Sequence, residues 1–242
     1  MDKKIPMIIH QIWSGIDKPL PQISQVLGNT WKRDYPEWKY ILWDNTSMNQ
    51  LIENDYPQYK SIYKSFEYNI QRWDAIRYLI LYKFGGMYVD FDYESIKPLE
   101  PIVKDQTCCF AEEPEAHKLG IPLVAEKYFN NAMMISIPNH PFMKKIIDSV
   151  FTLNDDNLSA NSSDYVLQTT GPWKLIKLYK TLDDIEKKQI FIIPSKYVSP
   201  FNVSQSRRFL LNKERSNELE SCLSEAYAVH YFFGYWRKEI KV

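Results

Sequence analysis

Apolar runs and amphipathic stretches alternate along the 242-residue chain, and this pattern predicts strands and helices in turn. The apolar run over residues 5–13 predicts a buried first strand, and residues 38–43 predict a second strand. Residues 22–32, between them, have the periodicity of a helix. Because strands and helices alternate from the start, the chain is predicted to form an α/β fold, with a Rossmann-like mixed, mainly parallel sheet flanked by helices.

The most regular helical pattern runs over residues 68–84. Its apolar stripe recurs at spacings of three and four, through Ile70, Trp73, Ile76, Ile80 and Phe84. Gly85-Gly86 predicts a left-handed end to this helix and a tight entry into a short buried strand over residues 87–89. Asp90-Phe91-Asp92 therefore falls at the carboxyl end of a strand, where open α/β sheets bind their ligands.

The rest of the chain continues the alternation with weaker patterns. Further strands are predicted over residues 107–110, 132–137, 190–193 and 226–232, and further helices over residues 141–151 and after Gly171-Pro172. A polar loop is predicted over residues 154–163, and a polar, basic segment without clear periodicity over residues 200–219. The length fits one ordinary α/β domain, so a single domain over residues 1–242 is expected.

Composition narrows the classes of function. Lys+Arg and Asp+Glu are equal at 30 each, so the basic excess typical of nucleic-acid binders is absent. Aromatic residues reach 15%, with 17 Tyr and 7 Trp, which suits the binding of sugars and nucleobases but equally a tyrosine-rich core. The three cysteines include the adjacent Cys108 and Cys109, which argues against a disulfide framework. With no signal-peptide pattern in MDKKIPMIIH, a cytoplasmic protein is expected.

The Asp-x-Asp spacing is weak evidence by itself, because 15 aspartates in 242 residues produce such a spacing by chance. Its chemistry is nevertheless suited to a hard divalent cation, which prefers oxygen ligands and keeps positions open for phosphate and water. Alternate residues of an extended segment point to opposite sides, so Asp90 and Asp92 are expected to have different roles. The alternative is a pair of turn aspartates, or an aspartate that caps a helix.

Asp74 and Arg77 stand three residues apart on the predicted helix, a spacing that also fits a plain intrahelical ion pair. Arg77, however, projects into the apolar stripe rather than toward solvent. An inward-pointing guanidinium needs a partner, because an unpaired buried charge is costly. A phosphate or a carboxylate of a binding site would serve as that partner.

The long central block resembles a known family. Residues 71–92 (QRWDAIRYLILYKFGGMYVDFD) are similar to the core signature of glycosyltransferase family 32, which includes initiating mannosyltransferases, α-1,4-glycosyltransferases and bacterial capsular polysaccharide enzymes. Residues 5–13, Thr170-Gly171-Pro172 and a late block of His230 with Gly234-Tyr235-Trp236 match further family blocks in the same order. A more distant similarity extends to the glucosylating domains of large clostridial toxins.

This resemblance implies a GT-A type nucleotide-sugar fold and a retaining transferase that depends on Mn²⁺ or Mg²⁺. The expected reaction moves a hexose from a nucleotide sugar to a glycan or lipid-linked oligosaccharide, in the synthesis of cell-surface or capsular polysaccharide. A UDP-hexose is favoured over GDP-mannose because the chain is short and has no anchor. Peripheral contact with the inner face of a membrane is expected, and nucleic acid is not.

The resemblance also implies roles in donor binding. Trp13 would stack beside the nucleobase, unless it is a core tryptophan at a strand end. Asp74 and Arg77 would bind ribose, donor sugar or diphosphate. Asn131, before a predicted strand, would contact a sugar hydroxyl or else serve as a turn residue. Trp236 is counted with the donor-binding residues of the late block.

By the same resemblance, Asp92 is the predicted metal ligand, and Asp90 contacts the ribose and donor sugar and is counted as a further metal ligand. His230 is the predicted last ligand of the metal, or a buried structural histidine. The family often has Gly-Ser-Trp where this chain has Tyr235 in the middle position, so no role is expected of a hydroxyl there. Asp90, Asp92 and Arg77 are the predicted catalytic residues.

Two other classes of function stay open at this stage. A glycoside hydrolase would use Asp90 and Asp92 as its two carboxylates and would need no metal. A non-catalytic carbohydrate-binding module would bind glycan through its aromatic residues and would not depend on a nucleotide sugar. Metal dependence and nucleotide-sugar dependence distinguish both from a transferase.

Overall fold

The computed structural model describes residues 4–16, 18–118, 125–152 and 163–238. The strands are β1 Ile8–Ile12, β2 Lys39–Trp43, β3 Gly86–Val89, β4 Tyr93–Ser95, β5 Cys108–Glu112, β6 Phe129–Ser136, β7 Phe191–Ile193 and β8 Ala228–His230. The α-helices are α1 Gln22–Asp34, α2 Asn45–Asp55, α3 Lys60–Ser65, α4 Asn69–Phe84, α5 Glu100–Val103, α6 Pro141–Val150, α7 Ser163–Thr169, α8 Pro172–Lys180, α9 Asp184–Lys187, α10 Ser195–Val198, α11 Val203–Leu210 and α12 Asn217–Leu223. Short 3-10 helices cover Pro57–Tyr59, Glu115–Lys118 and Tyr235–Lys238.

Six strands form the main sheet, in the order β2-β1-β3-β6-β5-β7. The pairs β1–β2, β1–β3 and β5–β7 are parallel, whereas β6 is antiparallel to both of its neighbours, β3 and β5. Five strands therefore run in one direction, which confirms the predicted mixed, mainly parallel sheet. The predicted last strand lies elsewhere, because β8 pairs with β4 in a separate two-stranded sheet.

The side chains of β3 alternate between the two faces of the sheet, as the pleat requires. Tyr88 joins the hydrophobic cluster formed by α4, α6 and α8 on one face. Met87 and Val89 join the cluster on the other face, where Trp31 of α1 is fully buried. Both faces are therefore covered by helices, as expected for a mainly parallel sheet.

Helix α4 confirms the most regular sequence pattern, since it spans Asn69–Phe84 against the predicted 68–84. It is buried on every side from Asp74 to Leu81, so it is an interior helix rather than one with a solvent face. Gly85 ends it with φ of 63°, in the left-handed region that favours glycine, and its N–H donates to the carbonyl of Leu81 at 2.9 Å. The chain then turns directly into β3.

The late, basic segment is where the sequence pattern fails. Two helices, α11 and α12, occupy most of the stretch for which no periodicity was predicted. The loop predicted over residues 154–163 lies outside the described residues, except for Ser163, which begins α7. Among the described helices, none combines the length and the apolar character needed to cross a bilayer.

Candidate active site

The candidate site lies at one edge of the main sheet, where four strands bring chemically active residues together. Strands β1, β3 and β5 run in the same direction and are followed by Trp13, Asp90 and Glu113. Strand β6 runs the opposite way, so its beginning, with Asn131, lies at the same edge. The edge is the one where an α/β sheet binds its ligands, as the sequence predicted.

Asp90-Phe91-Asp92 forms a tight turn between β3 and β4 rather than an extended segment, and the N–H of Tyr93 donates to the carbonyl of Asp90 at 3.2 Å. The Phe91 ring is buried against Gly28 of α1, where an added Cβ would stand 2.7 Å from the ring. The Gln11 side chain supports the turn by donating to the carbonyl of Val89 at 3.3 Å. The two carboxylates do point to different surroundings, as predicted, but a turn separates them rather than strand alternation.

Arg77 is 4% exposed and binds the first carboxylate of the turn. Its Nη1 lies 3.3 Å from Asp90 Oδ1 and donates to the carbonyl of Asn131 at 2.9 Å, while its Nη2 lies 3.2 Å from Asp74 Oδ1. The Tyr88 hydroxyl also donates to Asp90 Oδ1, at 2.5 Å. The predicted inward arginine is thus present, and its partners are two carboxylates. Burial raises the pKa of Asp90, although Arg77 opposes this.

Asp74 directs both carboxylate oxygens to protein groups. Oδ1 accepts a hydrogen bond from Asn131 Nδ2 at 2.9 Å, and Oδ2 accepts one from the Thr170 hydroxyl at 3.1 Å. Burial raises the pKa of Asp74 to about 6, while Arg77 works in the opposite direction. The Tyr78 hydroxyl donates to the carbonyl of Thr170 at 2.6 Å. In this arrangement Asp74 ties the segment before α8 to α4, and its predicted contact with the donor stays a prediction.

Asn131 lies inside β6, not before it as the sequence indicated. Its amide group donates to Asp74 Oδ1 and to the Tyr78 hydroxyl, at 2.9 and 2.8 Å. Both N–H bonds are therefore used within the protein, and only the side-chain oxygen is left for a sugar hydroxyl. The turn alternative is wrong, because the residue belongs to a fully buried strand.

The second carboxylate of the turn is held by the segment after β8. The N–H of Phe233 donates to Asp92 Oδ2 at 2.9 Å, and the N–H of Tyr231 donates to the carbonyl of Asp92 at 2.8 Å. His230 Nε2 lies 3.3 Å from Asp92 Oδ1. The predicted metal ligands Asp92 and His230 are therefore neighbours although 138 positions separate them in sequence.

The His230 ring is fixed between two other rings. It stacks on Tyr93 with centroids 4.2 Å apart and packs against Phe232 at 3.9 Å. Burial by itself would lower the pKa of His230, but the neighbouring Asp92 carboxylate raises it overall. Burial likewise would raise the pKa of Asp92, but His230 lowers it overall. Each group therefore favours the charged form of the other.

The Asp92 and His230 pair fits a divalent cation. Asp92 Oδ1, the oxygen that faces His230 Nε2, is buried without a hydrogen-bond partner among the described residues. Two adjacent ligands about 2.1 Å from one ion lie about 3 Å apart, close to the 3.3 Å between Asp92 Oδ1 and His230 Nε2. No group of three or more His, Cys, Asp and Glu side chains suited to a metal occurs in the described ranges. Two protein ligands suit an ion that is completed by phosphate and water.

The aromatic residues predicted at the donor stand in two places. Trp13 directly follows β1 and meets the edge of the Phe91 ring, with centroids 6.2 Å apart. Trp236 is half-buried in the short helix Tyr235–Lys238, and its role stays a prediction. Tyr235 lies beside Lys18, whose Nζ is 5.7 Å from the ring centroid. The segment that carries Trp236 thus returns toward the loop after β1.

Three residues of the site had no motif to identify them. Tyr88 orients Asp90, as described above. Glu113 and His117 form a pair, with His117 Nδ1 at 2.7 Å from Glu113 Oε2. Glu113 directly follows β5, as Asp90 follows β3, but the predicted strand ended at residue 110, so the same rule did not select Glu113 from the sequence.

Comparisons with known proteins agree with this site. A family model described as "Glycosyltransferase sugar-binding region containing DXD motif" matches residues 21–109, which include the whole Asp90-Phe91-Asp92 turn. Inositol phosphoceramide mannosyltransferase 1 of Schizosaccharomyces pombe is 30% identical over 155 residues, or 63% of this chain and 44% of that protein. The chain therefore matches less than half the length of this yeast relative.

Two further proteins resemble the chain over most of its length. An uncharacterised glycosyltransferase of Acanthamoeba polyphaga mimivirus is 27% identical over 98% of this chain and 86% of its own. The solved structure of the PaToxG glycosyltransferase superposes with a TM-score of 0.54 at 15% identity, covering 93% of this chain and 89% of that one. The fold is thus the predicted GT-A type. Residues 21–109 thus resemble the sugar-binding region of glycosyltransferases that contain a DXD motif, and the mimivirus relative extends the similarity over most of the chain.

Proposed function

We propose that the chain is a metal-dependent, retaining glycosyltransferase that moves a hexose from a nucleotide sugar to a hydroxyl group of a glycan or lipid-linked acceptor. The observation that carries this proposal is the division between the two carboxylates of the turn. Asp90 is paired with Arg77, whereas Asp92 has a partnerless oxygen beside His230. A nucleotide sugar has both matching features, a diphosphate that needs a cation and hydroxyls that need acceptors.

The proposed chemistry follows from where charge develops. Departure of the diphosphate leaves negative charge on its oxygens, and a divalent cation, when bound, supplies Lewis-acid stabilisation there. Asp92 and His230 hold that cation, and Asp90 accepts hydrogen bonds from ribose and sugar hydroxyls. The Arg77 guanidinium is fixed by Asp74 and Asp90 before the donor arrives, so it adds positive charge without reorganisation.

Retention of configuration is assigned to attack from the face that the diphosphate leaves. In this scheme the acceptor hydroxyl forms the new bond to the anomeric carbon as the bond to phosphate breaks. Its proton passes to the departing phosphate oxygen. A carboxylate nucleophile is not required, which agrees with the occupation of both Asp74 oxygens by protein donors.

The names of the relatives suggest which donor and acceptor to test first. The yeast relative is named as a mannosyltransferase acting on inositol phosphoceramide. We therefore propose mannose as the first hexose to test, and GDP-mannose enters the panel beside the UDP-hexoses that the sequence favoured. A lipid with a hydroxylated headgroup is the corresponding acceptor, and such an acceptor would bring the protein into peripheral contact with a membrane surface.

The glycoside hydrolase and the carbohydrate-binding module explain the site less well. A hydrolase needs one protonated and one ionised carboxyl group facing the same glycosidic bond. Here Asp90 is paired with Arg77, and Asp92 faces His230 across the turn. A binding module has no need for an arginine buried between two carboxylates.

Thermal unfolding against a panel of nucleotide sugars, with and without Mn²⁺, tests the proposal. A ligand at 100 times its Kd stabilises the folded state by about 2.7 kcal/mol. One donor is expected to raise the Tm strongly, and only when Mn²⁺ is present. Release of free sugar from a glycan in the presence of EDTA would support a hydrolase. Binding of glycan alone, with no response to any nucleotide sugar, would support a binding module.

A further inference from the structure

Glu113, at the carboxyl end of β5, is a nearly buried carboxylate that the proposed mechanism does not use. Its side chain is 19% exposed. Oε1 accepts a hydrogen bond from Asn130 Nδ2 at 2.8 Å, and Oε2 is 2.7 Å from His117 Nδ1. Burial would raise the pKa of Glu113, but the hydrogen bond with His117 lowers it overall, so the group is ionised.

The surroundings of Glu113 demand a group that only accepts hydrogen bonds. The Asn130 amide cannot turn over, because its oxygen accepts the N–H groups of Ala132 and Met133 at 3.0 and 3.3 Å. It therefore presents its NH₂ to Glu113, while His117 presents an N–H from the other side. A carboxylate satisfies both donors, whereas an amide would have to direct its own NH₂ against one of them.

His117 links Glu113 to α11 through a second hydrogen bond. His117 Nδ1–H donates a hydrogen bond to Glu113, and His117 Nε2 accepts one from the N–H of Val203 at 3.2 Å. The ring is therefore held as the neutral tautomer with the proton on Nδ1. The bond joins the end of β5 to the first turn of α11, and the Ser206 hydroxyl of that helix donates to the carbonyl of Tyr231 at 3.2 Å.

The His117 ring also packs against Phe232, with centroids 4.7 Å apart and planes at 75°. Phe232 in turn packs against the His230 ring at 3.9 Å. Its backbone has φ of 53°, in the left-handed region, which is a genuine outlier for a bulky residue and persists only where the surroundings hold it. The next N–H, that of Phe233, donates to Asp92 Oδ2.

We infer that Glu113 and His117 are positioning residues for Asp92 and His230. Packing of His117 on Phe232 holds the left-handed turn, and this turn directs the Phe233 amide to one oxygen of Asp92. The same packing fixes the plane of the His230 ring, so that Nε2 faces the other oxygen. Outer groups that orient ligands in this way affect metal affinity strongly. The inference rests on the proposed function only for the metal itself, because the positioning is a property of the free protein.

The variant Glu113→Gln tests the positioning, with Glu112→Gln as its matched control. Glu112 is the adjacent acid, and its own partners are the Ser195 N–H at 3.2 Å and Lys127 Nζ at 3.7 Å. In metal-free protein, nuclear magnetic resonance is expected to show that Glu113→Gln shifts the imidazole nitrogens of His117 and His230 and the amide of Phe233. Glu112→Gln leaves these signals in place. Unchanged His230 and Phe233 signals in Glu113→Gln, or equal shifts in the control, would overturn the inference.

A second measurement concerns the metal. Titration calorimetry of Mn²⁺ in the presence of UDP, and separately of GDP, is expected to show affinity weakened about tenfold or more in Glu113→Gln, with Glu112→Gln like wild type. His117→Asn keeps a donor for Glu113 but removes the ring from Phe232, and the same loss is expected. If Glu113→Gln does not fold, His117→Asn is used for the same measurement instead. Should wild type bind no Mn²⁺ with either nucleotide, the proposed function fails, and the resonance shifts alone decide the inference.

Discussion

Asp90 and Asp92 are two residues apart, yet their surroundings differ in almost every respect. Asp90 is held by groups that come before it in the sequence, the Arg77 guanidinium and the Tyr88 hydroxyl. Asp92 is held by the last described segment, through a backbone amide and the His230 ring. Burial raises the pKa of Asp90 despite Arg77, whereas His230 lowers the pKa of Asp92 despite burial. The tight turn between them separates the two environments.

The difference explains how one short motif can serve two purposes. The Asp90 side is a finished network, in which every carboxylate oxygen of Asp74 and Asp90 accepts a hydrogen bond from the protein. The Asp92 side is unfinished, since one of its carboxylate oxygens has no hydrogen-bond partner among the described residues. A finished network presents a fixed arrangement to hydroxyl groups, and an unfinished one binds a cation.

The largest effect is expected from Asp92→Asn. The amide keeps its bond with the Phe233 N–H but removes the charge that faces His230, so transfer should fall at least about a thousandfold, as expected when metal-based stabilisation is lost. The fold should stay intact by circular dichroism. Asp105→Asn, on the exposed turn before β5, is the control and should keep full activity. An active Asp92→Asn enzyme would remove Asp92 from the metal site.

Arg77→Ala disrupts the Asp90 side and should lower the free energy of unfolding. The buried Asp74 and the partly buried Asp90 would lose their cation, and removal of one partner of a buried ion pair typically costs about 3–5 kcal/mol. Urea unfolding measures this loss. Arg72→Ala is the control on the same helix, because Arg72 bonds only to Asn69 and to backbone carbonyls in the described contacts. Equal losses of unfolding free energy in the two variants would mean that the bonds of Arg77 to Asp74 and Asp90 do not stabilise the fold more than the bonds of Arg72 do.

Asp74 makes the stability of this network depend on pH. Its pKa is about 6 in the folded protein, above the ordinary aspartate value of 3.8, so the folded state binds more protons than the unfolded state between these values. Stability therefore falls as pH rises through this window and is level above it. The free energy of unfolding of wild type minus that of Asp74→Asn should fall by about 2 kcal/mol between pH 4 and 6. If this difference in the free energy of unfolding does not change with pH, burial does not raise the pKa of Asp74.

Tyr88→Phe should have the smallest effect. The variant removes one hydrogen bond to Asp90 and leaves Arg77 in place, a loss of about 1 kcal/mol. The KM for the donor should rise about fivefold, with little change in kcat. Tyr56→Phe removes a similar bond, to the carbonyl of Leu79 at 3.2 Å, far from the turn, and should leave KM unchanged. An unchanged KM in Tyr88→Phe would mean that Arg77 alone orients Asp90.

The Asp90 side could be predicted from the sequence because it is local. Helix α4 has regular apolar spacing, Gly85-Gly86 marks its end, and Asp90 follows Arg77 by only 13 positions. The inward direction of Arg77 follows from helical geometry, and the structure confirms it. The sequence did not reveal that Thr170 binds Asp74, because that contact joins positions 96 apart.

The Asp92 side could be predicted only in part. His230 was selected through the resemblance to a family, not through any local pattern. Helices α11 and α12 were missed because they are short, eight and seven residues, and because the capping box of Asn202 and Gln205 that begins α11 was not recognised. The bond between His117 and Val203 spans 86 positions and leaves no trace in periodicity. Contacts of this kind are decided by tertiary packing.

The central claim is that the two carboxylates divide the work, with the metal on Asp92. Calorimetric titration of Mn²⁺, in the presence of the donor's nucleoside diphosphate, into Asp92→Asn and Asp90→Asn tests this most directly. The account predicts that Asp92→Asn loses Mn²⁺ binding, while Asp90→Asn keeps it and loses affinity for the sugar part of the donor. Loss of Mn²⁺ binding in Asp90→Asn with retention in Asp92→Asn, or equal loss in both, would contradict it.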